Sequence, residues 1–178
     1  MKVPDICFFG VHMTDFSVSD GAFGKIDMDR FDQSILRVLA QDGRISVTDL
    51  AKRIGLSKSP TQARLRRLES SGVIIGYRAL LDPIRLGLDH VAFVEVRLSD
   101  TREAALEAFN QAVARVPEIE QAHMIAADFD YLLKVRTRDM SAYRRFLGET
   151  ISALPYVSNT STYVAMQAVK ETMLAEMT

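Results

Sequence analysis

The spacing of apolar residues changes along the chain and divides it into three parts. Residues 1–25 combine Gly, Ser and Asp with scattered Phe at no regular period, which predicts a flexible N-terminal tail. Helical spacing begins at Asp27, because Phe31, Ile35 and Leu39 fall on one face of a helix. In the second half, apolar residues alternate every second position in several short segments, as they do in strands.

Two more short helices are predicted after the first one. Ser46, with an acid three residues later, indicates the capped start of the second helix, and Gly55 can adopt the left-handed conformation that ends it. A third helix is capped by Ser57 or Ser59 and runs to about residue 71. Two helices joined by a tight turn that contains glycine predict a helix-turn-helix.

The second half predicts four strands and two helices. The predicted strands cover residues 90–98, 119–127, 131–137 and 156–166, and the predicted helices cover 102–115 and 140–153. The middle strands are separated by only Asp128-Phe129-Asp130 and should pair as a hairpin. The order βαββαβ is the ferredoxin-like plan, with both helices on one sheet face and the other face left for self-association.

The segment between the two halves predicts a linker. Residues 73–82 alternate loosely like a strand, and Pro83 and Gly87 indicate a hinge. The predicted fold class is therefore α+β. It comprises the tail, a helix-turn-helix domain of the winged-helix type at residues 26–76, a strand linker at 77–88 and a ferredoxin-like domain at 89–178.

The net charge of -1 hides an uneven distribution of charge. Residues 27–88 contain eleven bases and seven acids, whereas residues 89–178 contain nine bases and thirteen acids. Between Arg44 and Arg67 there are seven bases and only one acid, Asp49. This local excess of positive charge indicates a partner that carries phosphates.

The third predicted helix has a slender outward face. Its inner stripe holds Thr61, Leu65 and Leu68, and the opposite ridge holds the small residues Ser59, Ala63 and Ser70. Small residues let a helix backbone enter the major groove of DNA, while the flanking Gln62, Arg66 and Arg67 have the geometry to address base edges. Lys58 and Arg64 lie nearer the boundary, where they are expected to contact phosphates. The residues predicted to contact double-stranded DNA are Ser57, Lys58, Ser59, Thr61, Gln62, Arg64, Arg66 and Arg67.

Other kinds of chemistry have weaker support in the sequence. Cys7 is the single cysteine, and the three histidines share no spacing typical of metal ligands, so neither a metal nor a cofactor is expected. An enzyme would have to use His123 as an acid or base beside Asp128 or Asp130, and the chain carries no catalytic motif. The apolar run ICFFGV is too short for a secretory signal or a membrane span, which favours a cytoplasmic protein.

Two long stretches resemble one protein family. RISVTDLAKRIGLSKSPTQARLRRLESSGVIIGYRALLDPIRLG resembles the helix-turn-helix and linker of the Lrp/AsnC (feast/famine) transcription regulators. DFDYLLKVRTRDMSAYRRFLGETISALPYVSNTSTYVAMQAVKE resembles the ligand-binding module of that family. The resemblance implies that the sheet assembles homodimers, that dimers join into octamers or similar rings, and that an amino acid such as leucine or proline binds between dimers. It extends over nearly all of residues 27–171, in the family's order of modules.

The resemblance also implies an effector site at the hairpin and the neighbouring last strand. The expected effector-binding residues are Met124, Ala127, Asp128, Asp130, Met140, Thr150, Tyr163, Val164 and Ala165. A carboxylate such as that of Asp130 can meet the ammonium group, and Met140 and Val164 can contact the side chain of the ligand. The other interpretation is that Met124, Val164 and Ala165 belong to the core and that the two aspartates only shape a turn. Family members commonly have glycine at the position of Ala127, where a methyl group is costly if φ is positive or if the ligand approaches the backbone closely.

Two functions remain open at this point. The first is a nucleoid-associated transcription regulator whose assembly and DNA binding respond to a small amino acid, and which controls genes of amino-acid metabolism. The second is an architectural protein of the same fold that compacts DNA without an effector.

Overall fold

The computed structural model describes residues 27–171, so the predicted N-terminal tail lies outside the described residues. The chain divides into two compact units, with the boundary between Arg78 and Ala79.

The described part of the first unit consists of three helices in the predicted positions. They are α1 (Arg30–Gln41), α2 (Val47–Ile54) and α3 (Lys58–Ser70). Asp29 begins α1 through a capping box with Asp32, and Ser46 begins α2 by accepting a hydrogen bond from the backbone N–H of Asp49. Gly55 ends α2 with φ of 72°, the left-handed conformation that its position predicted. One buried residue from each helix, Ile35, Leu50 and Leu68, forms the core of this unit.

The second unit has the predicted βαββαβ order. Its elements are β1 (His90–Leu98), α4 (Glu103–Val113), β2 (Ile119–Met124), β3 (Tyr131–Thr137), α5 (Met140–Glu149), a 3-10 turn (Ile151–Ala153) and β4 (Val157–Val164). The strands form one sheet in the order β2-β3-β1-β4, and every adjacent pair is antiparallel. The ferredoxin-like prediction is confirmed.

Alternation along the central strands separates the two faces of this sheet. Leu133 and Val135 of β3 are buried in the core that the helices cover, together with Phe109 of α4 and Phe146 of α5. Lys134 lies between two of these buried residues on the strand and so points to the opposite face. No helix of the second unit covers that opposite face within the described residues.

The strand predicted at residues 73–82 is wrong. The structure assigns no strand to residues 73–82, and Ile75, Leu80 and Leu81 are exposed there. A strand needs a neighbour to accept and donate its backbone hydrogen bonds, and the four strands of the sheet all come from residues 90–164. Alternation alone therefore does not make this segment a strand.

Candidate functional site

The outward face of α3 is exposed as predicted. The small residues Ser59, Ala63 and Ser70 are exposed, as are Lys58 and Arg66, and Gln62 is half-buried. No acid lies in the first turn of α3, and the Ser57 side chain makes no capping hydrogen bond there. No carboxylate of the first turn therefore offsets the positive end of the helix dipole beside Lys58.

Thr61 does not belong to this outward face. It is fully buried, and its hydroxyl donates a hydrogen bond to the carbonyl oxygen of Ser57 at 2.9 Å. The prediction that Thr61 contacts DNA is wrong for its side chain, because the helical period places Thr61 on the same stripe as the buried Leu68.

Arg64 and Arg67 turn towards α1. Arg64 Nη1 lies 2.7 Å from Asp29 Oδ2 and 3.0 Å from Asp32 Oδ1, and Arg67 Nη2 binds Asp32 Oδ2. The Asp32 N–H and the Arg64 guanidinium lower the pKa of Asp29, and the Asp29 and Asp32 carboxylates in turn raise the pKa of Arg64. Two of the cations counted in the local positive excess thus have acidic partners.

Sequence reasoning missed these acidic partners. Their signal lies in the sequence, because Asp32 follows Phe31 by one residue and precedes Ile35 by three. That spacing puts a carboxylate on the inner face of an amphipathic helix, and a carboxylate there needs a partner.

The expected effector residues fall into two groups within one chain. Met124, at the end of β2, and Asp128, in the hairpin, lie at one end of the sheet. Val164 and Ala165 lie at the other end, where the Ala165 N–H donates to the carbonyl oxygen of Val91 at 2.9 Å. Because α5 returns the chain from the end of β3 to the start of β4, Met140 lies with Val164, and Thr150 lies with the hairpin.

These groups are too far apart to enclose one small molecule. Met124, on the edge strand β2, pairs with Tyr131 of β3, and Tyr131 pairs with Val96 of β1. Val164, on the other edge strand β4, pairs with Ala92 of β1, four residues before Val96. Three strand spacings and four residue rises separate Met124 from Val164 by about 19 Å. Both side chains are exposed, Met124 by 56% and Val164 by 44%, so in the single chain neither belongs to the core.

Two of the expected residues have local roles. Asp130 Oδ2 accepts a hydrogen bond from the backbone N–H of Leu98 at 2.7 Å, which commits one carboxylate oxygen to the end of β1. Ala127 does not have a positive φ, so its methyl group causes no backbone strain. Tyr163 is exposed beside Glu95, whose carboxylate raises the pKa of the tyrosine hydroxyl.

Asp128 and Asp130, the carboxylates that the enzyme alternative places beside His123, both contact other groups. Asp130 binds Leu98 as above, and Asp128 lies 3.7 Å from the Arg97 guanidinium. His123 is exposed on β2. Among the described residues, no group of three or more His, Cys, Asp or Glu side chains is arranged to hold a metal ion. No helix in residues 27–171 has the length and apolar character needed to cross a membrane.

A polar cluster on the sheet face away from the helices was not predicted. Lys134 Nζ lies 3.1 Å from Glu120 Oε2 and also binds Glu171, while Arg136 binds both glutamates. Arg136 further donates to the carbonyl oxygen of Leu88 at 3.0 Å. The cluster therefore connects the sheet to the segment that precedes it in sequence, at residue 88, and to the segment that follows it, at residue 171.

Comparison with known proteins agrees with both units. Residues 28–75 match a family model described as a winged helix-turn-helix DNA-binding domain, and residues 91–175 match the Lrp/AsnC ligand binding domain. A proline dehydrogenase transcriptional activator of Rhizobium radiobacter is 63% identical over 146 residues, which cover 82% of this chain and 94% of that protein. The leucine-responsive regulatory protein of Escherichia coli (strain K12) is 50% identical over 145 residues, covering 82% and 88% of the two chains.

Among solved structures, a transcriptional regulator from Neisseria meningitidis in complex with L-Met is similar, with a TM-score of 0.76 and 31% identity. The match covers 83% of this chain and 95% of that one. The two family models and these extensive identities lead to one conclusion: the chain belongs to the Lrp/AsnC family of transcription regulators.

Proposed function

We propose that the chain is a transcription regulator whose first unit binds double-stranded DNA and whose second unit adjusts that binding in response to an amino acid. The observation that carries the proposal is the exposed ridge of α3, where small residues lie between long hydrogen-bond donors. A helix of this shape fits the major groove, and its uncapped first turn favours the phosphates beside it.

The proposed DNA contacts divide by role. Gln62 and Arg66 address base edges, because their side chains have the geometry to bind adenine and guanine. Lys58 binds phosphate as a point charge at the start of α3, where Ser57 and Ser59 add short hydroxyl donors. Arg64 and Arg67 bind Asp32 of α1 and are left out of these DNA contacts.

The proposed effector is a small α-amino acid such as leucine, proline or methionine. Two relatives support this class of ligand, since one is named as leucine-responsive and another was solved with L-Met. The nine expected residues lie at both ends of the sheet, so a site that uses both groups takes them from different chains. The ordinary backbone of Ala127 removes the objection that its methyl group strains the hairpin.

The proposed assembly is a homodimer that forms through the uncovered sheet face and joins other dimers into an octamer or similar ring. The exposed Phe93 and Tyr163 on that face, and the exposed Ile84 and Leu86 after the unit boundary, support self-association. The protein would act in the cytoplasm, on the nucleoid. The amino acid shifts regulation only if it binds one assembly better than another.

The test measures DNA affinity, assembly mass and ligand binding on the same full-length protein. Each of the twenty amino acids is added to a duplex-binding titration and to light scattering, with thermal shift as the readout of binding. We expect at least one of them to raise the unfolding temperature and to change both affinity and mass. DNA binding without any response to an amino acid would favour the architectural alternative, and no DNA binding would contradict both functions.

A further inference from the structure

Asp32 is a buried carboxylate that the fold surrounds with donors. Its exposed fraction is 0%, and Oδ1 accepts from Arg64 Nη1 at 3.0 Å. Oδ2 accepts from the backbone N–H of Asp29 at 3.1 Å and from Arg67 Nη2. A carboxylate can accept about four hydrogen bonds, so these three leave Asp32 well satisfied in its buried position.

The two arginines are the means by which α1 holds α3. Arg64 lies between Asp29, Asp32 and the Phe31 ring, whose centroid is 5.4 Å from its guanidinium carbon. Arg67 lies three residues further along α3, almost one turn, and its side chain is 51% exposed. Two points of attachment on one buried carboxylate fix both the rotation and the height of α3 against α1.

Charge accounting argues against these arginines as phosphate contacts. Breaking either pair would leave the buried Asp32 carboxylate with too little positive charge beside it. The free energy lost would exceed the free energy that an exposed contact with phosphate contributes. Two aspartates and two arginines also cancel, so the cluster adds no net charge to the surface proposed to face DNA.

We propose that Asp32 is a positioning residue for DNA recognition and that, through Arg64 and Arg67, it sets the orientation in which Gln62 and Arg66 meet the bases. The inference rests on the proposed function, since it concerns how α3 is presented to DNA. It assigns the two arginines to orientation, although their positions on the helix predicted a base contact for Arg67 and a phosphate contact for Arg64.

The test uses the full chain and two duplexes. One duplex is selected from a random library by the wild-type protein, and the other has the same composition in scrambled order. The variants are Arg67→Met, which removes the charge and keeps the length, Asp32→Asn, which removes the charge and keeps the shape, and Arg67→Lys, which keeps a donor for Asp32. Lys58→Met is the matched control, because Lys58 is exposed and is a proposed phosphate contact. Affinity is measured over a salt series, and unfolding temperature is measured in parallel.

We expect Arg67→Met and Asp32→Asn to reduce the preference for the selected duplex by roughly 5- to 150-fold, the range of one lost base contact. Their slopes of log affinity against log salt should equal that of the wild type. Arg67→Lys should recover most of the preference. Lys58→Met should keep the preference and reduce the slope by about 0.9 per chain.

Three results would overturn the inference. A slope that falls for Arg67→Met as it does for Lys58→Met would make Arg67 a phosphate contact. An unfolding temperature that falls in Asp32→Asn with an unchanged preference would make Asp32 purely structural. If Asp32→Asn does not fold, an unchanged preference in Arg67→Met alone overturns the inference. A wild-type protein that binds neither duplex would instead contradict the proposed function, and with it this inference.

Discussion

Replacement of Asp130 separates a structural role from a ligand-binding role. Its carboxylate accepts the Leu98 N–H at 2.7 Å, its own N–H donates to the Val96 carbonyl at 3.0 Å, and its carbonyl accepts from the Ile125 N–H at 2.9 Å. The side-chain bond is partly buried and lies where the pairing of β1 with β4 shifts register, between Arg97 and Leu98. Asp130→Ala removes the acceptor and leaves the Leu98 N–H without it.

The size of the loss follows from this geometry. A hydrogen bond to a charged group contributes about 1.5–3 kcal/mol, so Asp130→Ala should lower the free energy of unfolding by about 2 kcal/mol. For a chain of this length that corresponds to a decrease of about 4–8 °C in Tm. Asp130→Asn keeps an oxygen acceptor and should cost less than about 1 kcal/mol.

The assay is thermal unfolding at one fixed protein concentration, because assembly makes Tm depend on concentration. Calorimetric titration with leucine, proline and methionine accompanies it. We expect the Asn variant to retain both stability and ligand affinity. An Ala variant with the wild-type Tm and no amino-acid binding would refute this reasoning and would show that Asp130 binds the ligand.

Four further substitutions have distinct expected outcomes. Gln62→Ala should cost about 1–3 kcal/mol at one position of the DNA sequence, whereas Lys58→Ala should weaken binding to all duplexes alike; equal effects in binding titrations would contradict the assigned roles. Ala127→Gly should lower the free energy of unfolding by about 0.5–1 kcal/mol in denaturant titrations, because φ is not positive and glycine adds entropy to the unfolded chain; an increase would reveal strain. The hydrogen bond from Lys134 lowers the pKa of Glu171 from the ordinary value of 4.5, so its stabilising contribution is present above pH 4.5 and is lost as pH falls through the lower folded value. An NMR titration of Glu171 should show this low midpoint, which Lys134→Ala should raise; a midpoint that Lys134→Ala does not move would contradict the contact.

The helices and strands were predictable because their signals are local. Ser46 begins α2 and Gly55 ends it, through backbone and capping interactions that act within one turn. In β3, the alternation of residue types directly indicates which side chains lie on each face. The strand predicted at residues 73–82 was wrong because pairing depends on a second segment. An alternating pattern does not contain that information.

The candidate site was predictable only in part for the same reason. The exposed ridge of α3 follows from its helical period, but the contacts of Arg64 and Arg67 with Asp32 join residues 32 and 35 positions apart. These contacts depend on how α1 and α3 pack. The separation of Met124 from Val164 is predictable from the sequence, because the ferredoxin-like strand order puts β2 and β4 on opposite edges of the sheet.

The central claim is that α3 binds duplex DNA through its exposed cations, and a salt titration tests it most directly. Lys58 and Arg66 of α3 are exposed and form no salt bridge within residues 27–171. At about 0.9 for each cation, the proposed dimer should show a slope of log affinity against log salt of about −4 between about 50 and 200 mM salt. A slope near zero, or no binding at the lowest salt, would contradict the account.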